Sequence, residues 1–546
     1  MQKPFLLSCF LFFFFFIPQL SFSCPPDQRQ SLLEFKNLLT QSIKNDSKDA
    51  NINLELETWR PNSDCCKWNR VGCDARSLSG EVIELKLYHL VQYGSVSSSV
   101  LRPVLRISSL ETLDVSRNSI KGDIPGDAFV NMTRIISLDM SDNNFSGSIP
   151  PELFSLKTLQ RLDLSMNGIG GKLSGDIKKL KNLQELGLGW NLIGGEIPPE
   201  IGSLTELRIL SLKQNKFSGS IPSLIHLTKL STVDLEENSM SFEIPTWLFG
   251  LEKLENLRLG GNKLQWNKNG SVFAQFQLTY LSLKSCGLEG NIPDWLKNQT
   301  ALRFLDLRMN RLQGSFPIWL AHLKIYNILL SDNRLSGSLP PSLFQSQNLY
   351  LLALSRNNFS GQIPDTIGES SIINSRQGLA NSNRYLYSLL DLSKNKFSGD
   401  IPASLGNLKN LKLLNLSHNN ISGIIPQSFG DLEKLETLDL SYNNLSGHIP
   451  QTFSKLGELT TLGLSHNKLS GKIPESPQLD RLNDPNIYTG NNNICGMQIQ
   501  VSCSTQAEQP EEDKEEDEEE TMFSWKATVI GYPCGFLIAV LFMYAF

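Results

Sequence analysis

One nine-residue phrase returns along most of the chain and constrains its fold more than any other feature. The phrase reads Leu-x-x-Leu-x-Leu-x-x-Asn, as in Leu110–Asn118 and Leu435–Asn443, and successive copies mostly lie 23 to 25 residues apart. Two further copies end in Cys286 and in Leu90. The closing Asn falls at positions 118, 143, 167, 191, 215, 238, 262, 310, 333, 357, 395, 419, 443 and 467.

The spacing within the phrase predicts one short strand per copy. In Leu-x-Leu the two leucines point to one face of a strand and the residue between them points to the other. A single strand of this kind cannot bury its leucine face, so the copies must stack into a parallel sheet over a continuous core. The Asn amide is expected to satisfy turn backbone groups of neighbouring copies. Cys286 fits the same slot as a small buried residue, which we expect to be structural and unpaired.

A fixed period of this length with this phrase is the leucine-rich-repeat signature. It predicts an α/β solenoid, a right-handed horseshoe whose parallel β-sheet lines the concave face. A solenoid also accommodates 546 residues, which would be unusually large for one globular core.

A second phrase, Leu-x-Gly-x-Ile-Pro, recurs between the strands, as in Leu288–Pro293 and Leu445–Pro450. Together with Leu33–Lys36 and Asp64–Trp68, it makes the chain resemble a plant-type leucine-rich-repeat ectodomain, and the resemblance covers nearly the whole sequence. The plant receptor-like proteins, which have a single membrane helix and no kinase domain, are the most similar group.

The start of the chain indicates secretion. Residues 1–23 read as a signal peptide, with Lys3 followed by an apolar run that Pro18 ends. Residues 24–81 are predicted to form a Cys-rich N-terminal cap with a helix that presents Leu32, Phe35 and Leu39 on one face.

Six cysteines flank the two ends of the array, where disulfides would hold the caps in an oxidising compartment: Cys24, Cys65, Cys66, Cys73, Cys495 and Cys503. Spacing makes Cys495–Cys503 the local pair at the C-terminal end, whereas the four N-terminal cysteines allow three pairings. The resemblance to plant repeat proteins implies the pairs Cys24–Cys65 and Cys66–Cys73.

The array is expected to occupy residues 82–368 and, as four final repeats, residues 388–480, with a C-terminal Cys-pair cap at 481–507. The insertion at 369–387 resembles the island that precedes the last four repeats of receptor-like proteins. It is equally well interpreted as a solvated loop. Residues 508–522 contain an acidic run, which we interpret as a self-repelling spacer.

Residues 523–546 are predicted to form a transmembrane helix, because 24 residues reach about 36 Å. With the signal peptide, this indicates a single-pass plasma-membrane protein with extracellular repeats. Gly531 and Gly535 have the Gly-x-x-x-Gly spacing of helix-packing sites, and receptor-like proteins are similar in using such a motif to hold an adaptor kinase. That family also has a short cytoplasmic tail, whereas this sequence ends at Phe546, so a truncated, non-signalling decoy is an alternative.

The sequence offers no catalytic constellation, and we predict a binding protein with no enzymatic activity and no cofactor. Neither His-Glu-x-x-His nor a phosphate-binding Gly-rich loop occurs. His418 and His466 share a register position, and we interpret them as polar surface of the sheet rather than as a metal site. No strong basic patch indicates a nucleic-acid partner.

We call the position of the closing Asn in each copy the ladder slot. The residue two positions before each ladder slot marks a candidate ligand site. It is Ser in nine repeats, but in six consecutive repeats it is Gly189, Lys213, Glu236, Gly260, Lys284 or Arg308. Aromatic and Arg residues, which are enriched in binding hot spots, lie at neighbouring positions. We therefore predict a ligand surface with a positive bias, although neutral variation of a soluble face is an alternative. The candidate residues are Trp190, Lys213, Glu236, Arg258, Tyr280, Lys284, Phe304, Arg308 and Met309.

Nine Asn-x-Ser/Thr sequons predict glycosylation at several of Asn45, Asn131, Asn144, Asn269, Asn298, Asn358, Asn415, Asn420 and Asn444. The resemblance implies a receptor in defence or development that binds an extracellular peptide, protein or carbohydrate and signals through adaptor and co-receptor kinases with their own repeat ectodomains. A secreted-type inhibitor of a cell-wall-degrading enzyme, resembling the polygalacturonase inhibitors, is the other alternative.

Overall fold

The computed structural model describes residues 24–46, 56–75, 79–91, 94–265, 274–346, 348–368, 388–482 and 484–503. The predicted signal peptide (1–23), island (369–387), acidic spacer (508–522) and membrane helix (523–546) lie outside these ranges. Among the described residues, none belongs to a helix with the length and apolar character needed to cross a membrane.

The Leu-x-Leu segments form one long sheet, which has seventeen strands within the described ranges. The first two strands pair antiparallel, and all later neighbours pair parallel with matched registers. In chain order the strands are Val71–Cys73, Val82–Lys86, Thr112–Asp114, Ser137–Asp139, Arg161–Asp163, Glu185–Gly187, Ile209–Ser211, Thr232–Asp234, Asn256–Arg258, Tyr280–Ser282, Phe304–Asp306, Asn327–Leu329, Leu351–Ala353, Leu389–Asp391, Leu413–Asn415, Thr437–Asp439 and Thr461–Gly463.

Each three-residue strand of the long sheet from Thr112–Asp114 onward buries its middle residue. Leu138, Leu162 and Leu186 are at most 2% exposed, while their neighbours in the strands remain partly exposed. The sheet therefore has one face against the leucine core and one open face, which carries the first and third residue of these strands. This confirms the parallel sheet and the stacked core that the phrase predicts.

The segments that return from one strand to the next form short extended and helical pieces. Small parallel sheets contain Val96–Ser97, Ile120–Asp123 and Asn144–Ser146; Gly194–Glu196 and Lys216–Ser218; Ser241–Glu243 and Lys263–Gln265; Glu289–Gly290, Arg311–Ser315, Arg334–Gly337, Asn358–Gly361, Lys396–Asp400 and Asn420–Ser422; and Ser446–His448, Lys468–Lys472 and Asn493–Cys495. The α-helices are Pro26–Asp46, Ile318–His322, Pro341–Phe344 and Pro477–Arg481. The 3₁₀ helices are Cys65–Lys67, Ser98–Leu101, Val104–Arg106, Gly126–Asn131, Pro151–Ser155, Gly175–Lys179, Pro199–Ser203, Thr246–Gly250, Asp294–Asn298, Ala403–Asn407, Gln427–Asp431, Gln451–Lys455, Pro485–Ile487 and Met497–Ile499.

The ladder asparagines join each repeat to the one before it, as predicted. The Asn310 amide nitrogen donates to the carbonyls of Leu283, Leu307 and Arg308 at 2.9, 2.9 and 3.1 Å. Its oxygen accepts from the backbone nitrogens of Cys286 and Leu288, both at 3.0 Å. One side chain thus satisfies five backbone groups, most of them buried, that would otherwise destabilise the stack.

Cys286 takes the ladder slot with fewer bonds. Its thiol is free and buried, and it contacts the carbonyls of Leu259 and Lys284 at 3.5 and 3.4 Å. The backbone nitrogen of Leu264, which an Asn oxygen would serve, donates instead to the Cys286 carbonyl at 2.9 Å. The expectation of a structural, unpaired cysteine is confirmed.

The N-terminal cap is built as the sequence indicates. Leu32, Phe35 and Leu39 are at most 2% exposed, and the helix is tied to the first repeat because Gln28 accepts from Val82 N and donates to Ser109 Oγ. The disulfides Cys24–Cys65 and Cys66–Cys73 are present. Cys495 and Cys503 are also disulfide-bonded.

Candidate functional site

A three-layer stack lies at the centre of the open face. The strands that contain Tyr280 and Phe304 are neighbours in the sheet, and these two residues are paired in register. Their rings stack with centroids 4.2 Å apart and planes 4° apart. The Arg258 guanidinium covers the other face of Tyr280, with its central carbon 4.1 Å from the ring centroid. Both faces of the tyrosine are therefore already occupied within the protein.

In the serine repeats, most side chains two positions before the ladder slot are buried. We call this row of residues the floor of the open face. Six of the nine serines there are buried. In several repeats the serine donates to a carboxylate or amide oxygen two residues earlier, as Ser441 Oγ does to Asp439 at 2.6 Å and Ser417 Oγ to Asn415 at 2.7 Å. These serines are buried because the short side chain folds back onto its own strand.

Glycine in this row makes room for a long side chain from the next repeat. A Cβ at Gly189 would lie 3.0 Å from Lys213 Cγ, and a Cβ at Gly260 would lie 2.9 Å from Lys284 Cγ. Each lysine thus leans back over the glycine that precedes it by one repeat. Four of the six departures from serine are therefore coupled in space as two pairs, which argues against independent neutral changes.

The Glu236 side chain also passes over Gly260, where the absence of a Cβ leaves space. A Cβ at Gly260 would lie 3.0 Å from Glu236 Oε1, and that oxygen accepts a short hydrogen bond from Ser282 Oγ, two strands away. Ser282 is 1% exposed. The carboxylate therefore crosses one repeat to satisfy a buried hydroxyl, and a side chain at position 260 would obstruct the crossing.

Each cation of the site has a carboxylate partner. Lys213 Nζ and Arg258 Nη1 lie 3.9 and 3.7 Å from Asp234 Oδ2, and Lys284 Nζ lies 3.3 Å from Glu237 Oε1. Arg308 binds Asp306 through two nitrogens, at 3.0 and 2.7 Å. The positive bias expected from the sequence is wrong, because the four cations face the four carboxylates Asp234, Glu236, Glu237 and Asp306.

Burial controls the ionisation of the floor. It raises the pKa of Asp234 above its ordinary value even though Lys213 and Arg258 favour the charged form. Burial likewise raises the pKa of Glu236 against the hydrogen bond from Ser282, and it raises the pKa of Tyr280. Among the described residues, Arg258 Nε is one of two buried side-chain polar atoms without a hydrogen-bond partner.

Seven of the nine predicted ligand residues come together with the floor. We call this group the central cluster: Lys213, Asp234, Glu236, Glu237, Arg258, Tyr280, Ser282, Lys284, Phe304, Asp306 and Arg308. Trp190 and Met309 are not joined to the cluster by the contacts described above. Each occupies the left-handed turn after its strand, with φ of 58° and 57°, and they are 41% and 59% exposed.

Sequence reasoning missed the floor carboxylates and the neighbouring apolar part of the face. Asp234 and Asp306 occupy the strand position that carries Asp in several serine repeats. Beyond Phe304 the third strand position becomes apolar, with Leu329 and Ala353 only 6% and 9% exposed. The usable signal was the recurrence of Gly followed one repeat later by Lys.

Other predicted sites are placed as follows. Asn131, Asn144, Asn298, Asn358, Asn420 and Asn444 are exposed, whereas Asn415 lies in a strand of the long sheet and accepts from Ser417. Asn269, Gly531, Gly535 and the Asn45 side chain lie outside the described residues. His418 and His466 stack on either side of Tyr442, with centroids 4.2 and 4.1 Å apart. The described ranges contain no group of three or more His, Cys, Asp or Glu arranged to hold a metal ion.

Three family profiles match the sequence. The leucine-rich-repeat N-terminal domain matches residues 25–74, the leucine-rich-repeat region matches 94–325, and the leucine-rich repeat matches 386–445 and 420–469. These matches cover the cap and both blocks of the array.

Two similar proteins are from Arabidopsis thaliana. Receptor-like protein 46 of Arabidopsis thaliana is 62% identical over 61% of this chain and 47% of its own length. Receptor-like protein 19 of the same species is 42% identical over 19% of this chain and 10% of its own length. The chain thus spans about half the length of the first relative, and less of the second. Among solved structures, the ectodomain of the Arabidopsis membrane receptor kinase GASSHO1/SCHENGEN3, in complex with CASPARIAN STRIP INTEGRITY FACTOR 2, matches with a TM-score of 0.54 and 28% identity, over 86% of this chain and 64% of that chain.

Proposed function

Because this chain belongs to the plant leucine-rich-repeat receptor-like proteins, we propose that it binds an extracellular peptide or protein ligand over the central cluster and signals through a partner receptor kinase. The observation that carries the proposal is the coupled departure from serine, in which glycines make room for Lys213 and Lys284. Long polar and aromatic side chains are thereby packed together in a stretch of otherwise regular sheet.

The geometry favours a peptide or protein over a sugar. A sugar ring binds proteins by stacking on an open aromatic face, but the tyrosine of the stack has Arg258 on one side and Phe304 on the other. A wall fragment with many acidic groups would need several cations in excess, and the four cations of the central cluster are matched by four carboxylates. The adjoining apolar floor at Leu329 and Ala353 suits apolar side chains of a polypeptide.

The GASSHO1/SCHENGEN3 ectodomain, which is similar in fold, was solved in complex with another molecule. This supports ligand binding by an array of this kind, whose long sheet we expect to line the inner side of a right-handed horseshoe. We further propose that residues 523–546 anchor the chain in the plasma membrane with its repeats outside. Contact with the kinase partner would run through Gly531 and Gly535, because small residues let helices approach closely.

A capture experiment tests ligand binding. The purified full-length chain would be incubated with an extract of extracellular plant proteins and peptides, and captured species would be identified by mass spectrometry and their affinities measured. Tyr280→Ala should weaken binding of the captured ligand about thirtyfold, since truncating a hot spot typically costs about 2 kcal/mol or more.

The matched control is Tyr442→Ala, which also removes a stacked tyrosine, here from between His418 and His466. It should leave the affinity unchanged. Equal effects of the two substitutions would sink the proposed site. Recovery of the chain in soluble rather than membrane fractions, with inhibition of a wall-degrading enzyme, would instead favour the inhibitor alternative.

A further inference from the structure

Two carboxyl groups of the central cluster lie beneath its cations. Asp234 is 4% exposed, and in place of the usual serine two residues later the chain has Glu236. The backbone nitrogen of Glu236 donates to Asp234 Oδ1 at 3.3 Å, but no hydroxyl does so as in the serine repeats. Glu236 itself extends away over Gly260 to Ser282. Asp234 ends its strand, Glu236 follows two residues later, and the negative charge of Asp234 acts on the Glu236 carboxyl group. We call these two carboxyl groups the carboxyl pair.

Charged groups face the carboxyl pair from several neighbouring repeats. Three cations approach the pair. Lys213 and Arg258 lie beside Asp234, and the charge of Lys284 acts on both carboxyl groups. Lys284 is shared with Glu237, and Arg308 is held by Asp306. The titratable and charged groups around the pair are Lys213, Glu237, Arg258, Tyr280, Lys284, Asp306 and Arg308.

Protonation of the carboxyl pair would release cations without moving the backbone. With all groups ionised, the four cations and four carboxylates of the central cluster balance. With the pair protonated, the cluster has two positive charges in excess, and Lys213 and Arg258 lose their shared partner. Arg258 Nε is already buried without an acceptor. Burial raises the pKa of both carboxyl groups, so this state becomes populated at less acidic pH than for exposed side chains.

We propose that the carboxyl pair gates a subsite for one anionic group of the ligand, which binds Lys213, Arg258 and Lys284 more tightly when the pair is protonated than when it is ionised. This inference rests on the proposed function, because it adds an acidic group to the polypeptide ligand. The ligand is then held more tightly as the pH falls, provided that its own group remains charged.

Inorganic sulfate is a suitable probe, because it stays ionised across the range to be tested. Sulfate binding to the full-length chain would be measured by titration calorimetry at about pH 5 and about pH 7.5, because protonation of the carboxyl pair increases as the pH falls. We expect wild-type affinity to be about tenfold higher at the lower pH, the equivalent of one added charge-assisted hydrogen bond. The double variant Asp234→Asn/Glu236→Gln should bind sulfate equally at both pH values, and Arg258→Gln should lose binding at both.

Asp139→Asn is the matched control. Asp139 occupies the same strand position, and burial raises its pKa as well. Its neighbours, however, are Asp114, Asp163 and Ser141 rather than cations. This variant should keep the wild-type pH dependence. Equal sulfate affinity of the wild type at both pH values would overturn the proposal, as would a pH dependence that survives in the double variant.

Proton uptake can be checked without any anion. Because the folded pKa of each carboxyl group lies above its unfolded value, the pair contributes stability that is fully present below the unfolded pKa and is lost as the pH rises through the folded pKa. The double variant should therefore become more stable relative to the wild type as the pH rises, and a constant difference would overturn the gating. These results are independent of the capture experiment, so a failure of ligand binding at Tyr280 and a failure of gating are distinguishable.

Discussion

Gly260→Ser is a small substitution whose effect follows directly from the geometry of the central cluster. Serine is the residue that nine other repeats have in this row, so local backbone preference should tolerate it. In this repeat, however, the new Cβ would lie 2.9 Å from Lys284 Cγ, 3.0 Å from Glu236 Oε1 and 3.1 Å from the Lys284 carbonyl. These separations are shorter than ordinary contacts, so both side chains must move.

The expected loss has two parts. Overpacking of a filled site typically costs about 1–3 kcal/mol, and displacing Glu236 breaks its bond to Ser282, a charged hydrogen bond of about 1.5–3 kcal/mol in favourable cases. Because both side chains reach partly to solvent and can shift outward, we expect the apparent free energy of unfolding to fall by about 2 kcal/mol. Urea denaturation of the purified chain, followed by circular dichroism, measures this difference.

A double-mutant cycle identifies the cause. In a Glu236→Ala background the obstructing carboxylate is absent, so Gly260→Ser should cost about 1 kcal/mol less than in the wild type. Gly457→Ser is the matched control, because a Cβ there meets no atom within 4 Å. If Gly260→Ser costs the same in both backgrounds, or no more than Gly457→Ser, then the crossing of Glu236 over Gly260 does not build the site.

Three further outcomes are expected. Burial raises the pKa of Cys286 to about 12, so a thiol reagent at about pH 8 should label it only after unfolding, and rapid labelling of the native chain would contradict its burial. Tyr488 is 3% exposed, and its hydroxyl has no hydrogen-bond partner among the described residues. Tyr488→Phe should therefore leave the free energy of unfolding unchanged or raise it by about 1 kcal/mol. A decrease of that free energy in urea denaturation would refute this. Cys495→Ser should make the last repeats the first to yield to protease, with cleavage near Asn467, and unchanged protection would argue against the predicted Cys495–Cys503 pair.

The fold was predictable from the sequence because the copies of the repeat share the same spacing of leucines and of the closing asparagine. The leucine spacing implied one buried face, and the substitution at Cys286 was interpretable only against fourteen asparagines in the same slot. The caps followed from cysteine positions and from the family resemblance. None of these inferences needed contacts other than those between adjacent repeats.

The charge state of the candidate site was not predictable in the same way. Asp234 and Asp306 look like the aspartates that bind serine in other repeats, and only the structure shows them beneath Lys213, Arg258 and Arg308. The crossing of Glu236 to Ser282 joins residues that are 46 positions apart. Interactions that skip a repeat leave no trace in a pattern that describes one repeat at a time.

The substitution at Cys286 also has a mechanical consequence. A stack of repeats bears a pulling force in series, so its strength is that of its weakest joint rather than the average. Most joints are closed by an asparagine whose amide reaches back to a carbonyl of the preceding repeat, whereas here a thiol contact of 3.5 Å takes that place. Sulfur is a weak donor. A chain pulled at both ends would therefore meet less resistance from side-chain contacts between Leu259 and Cys286, beside the central cluster, than at a joint that an asparagine closes.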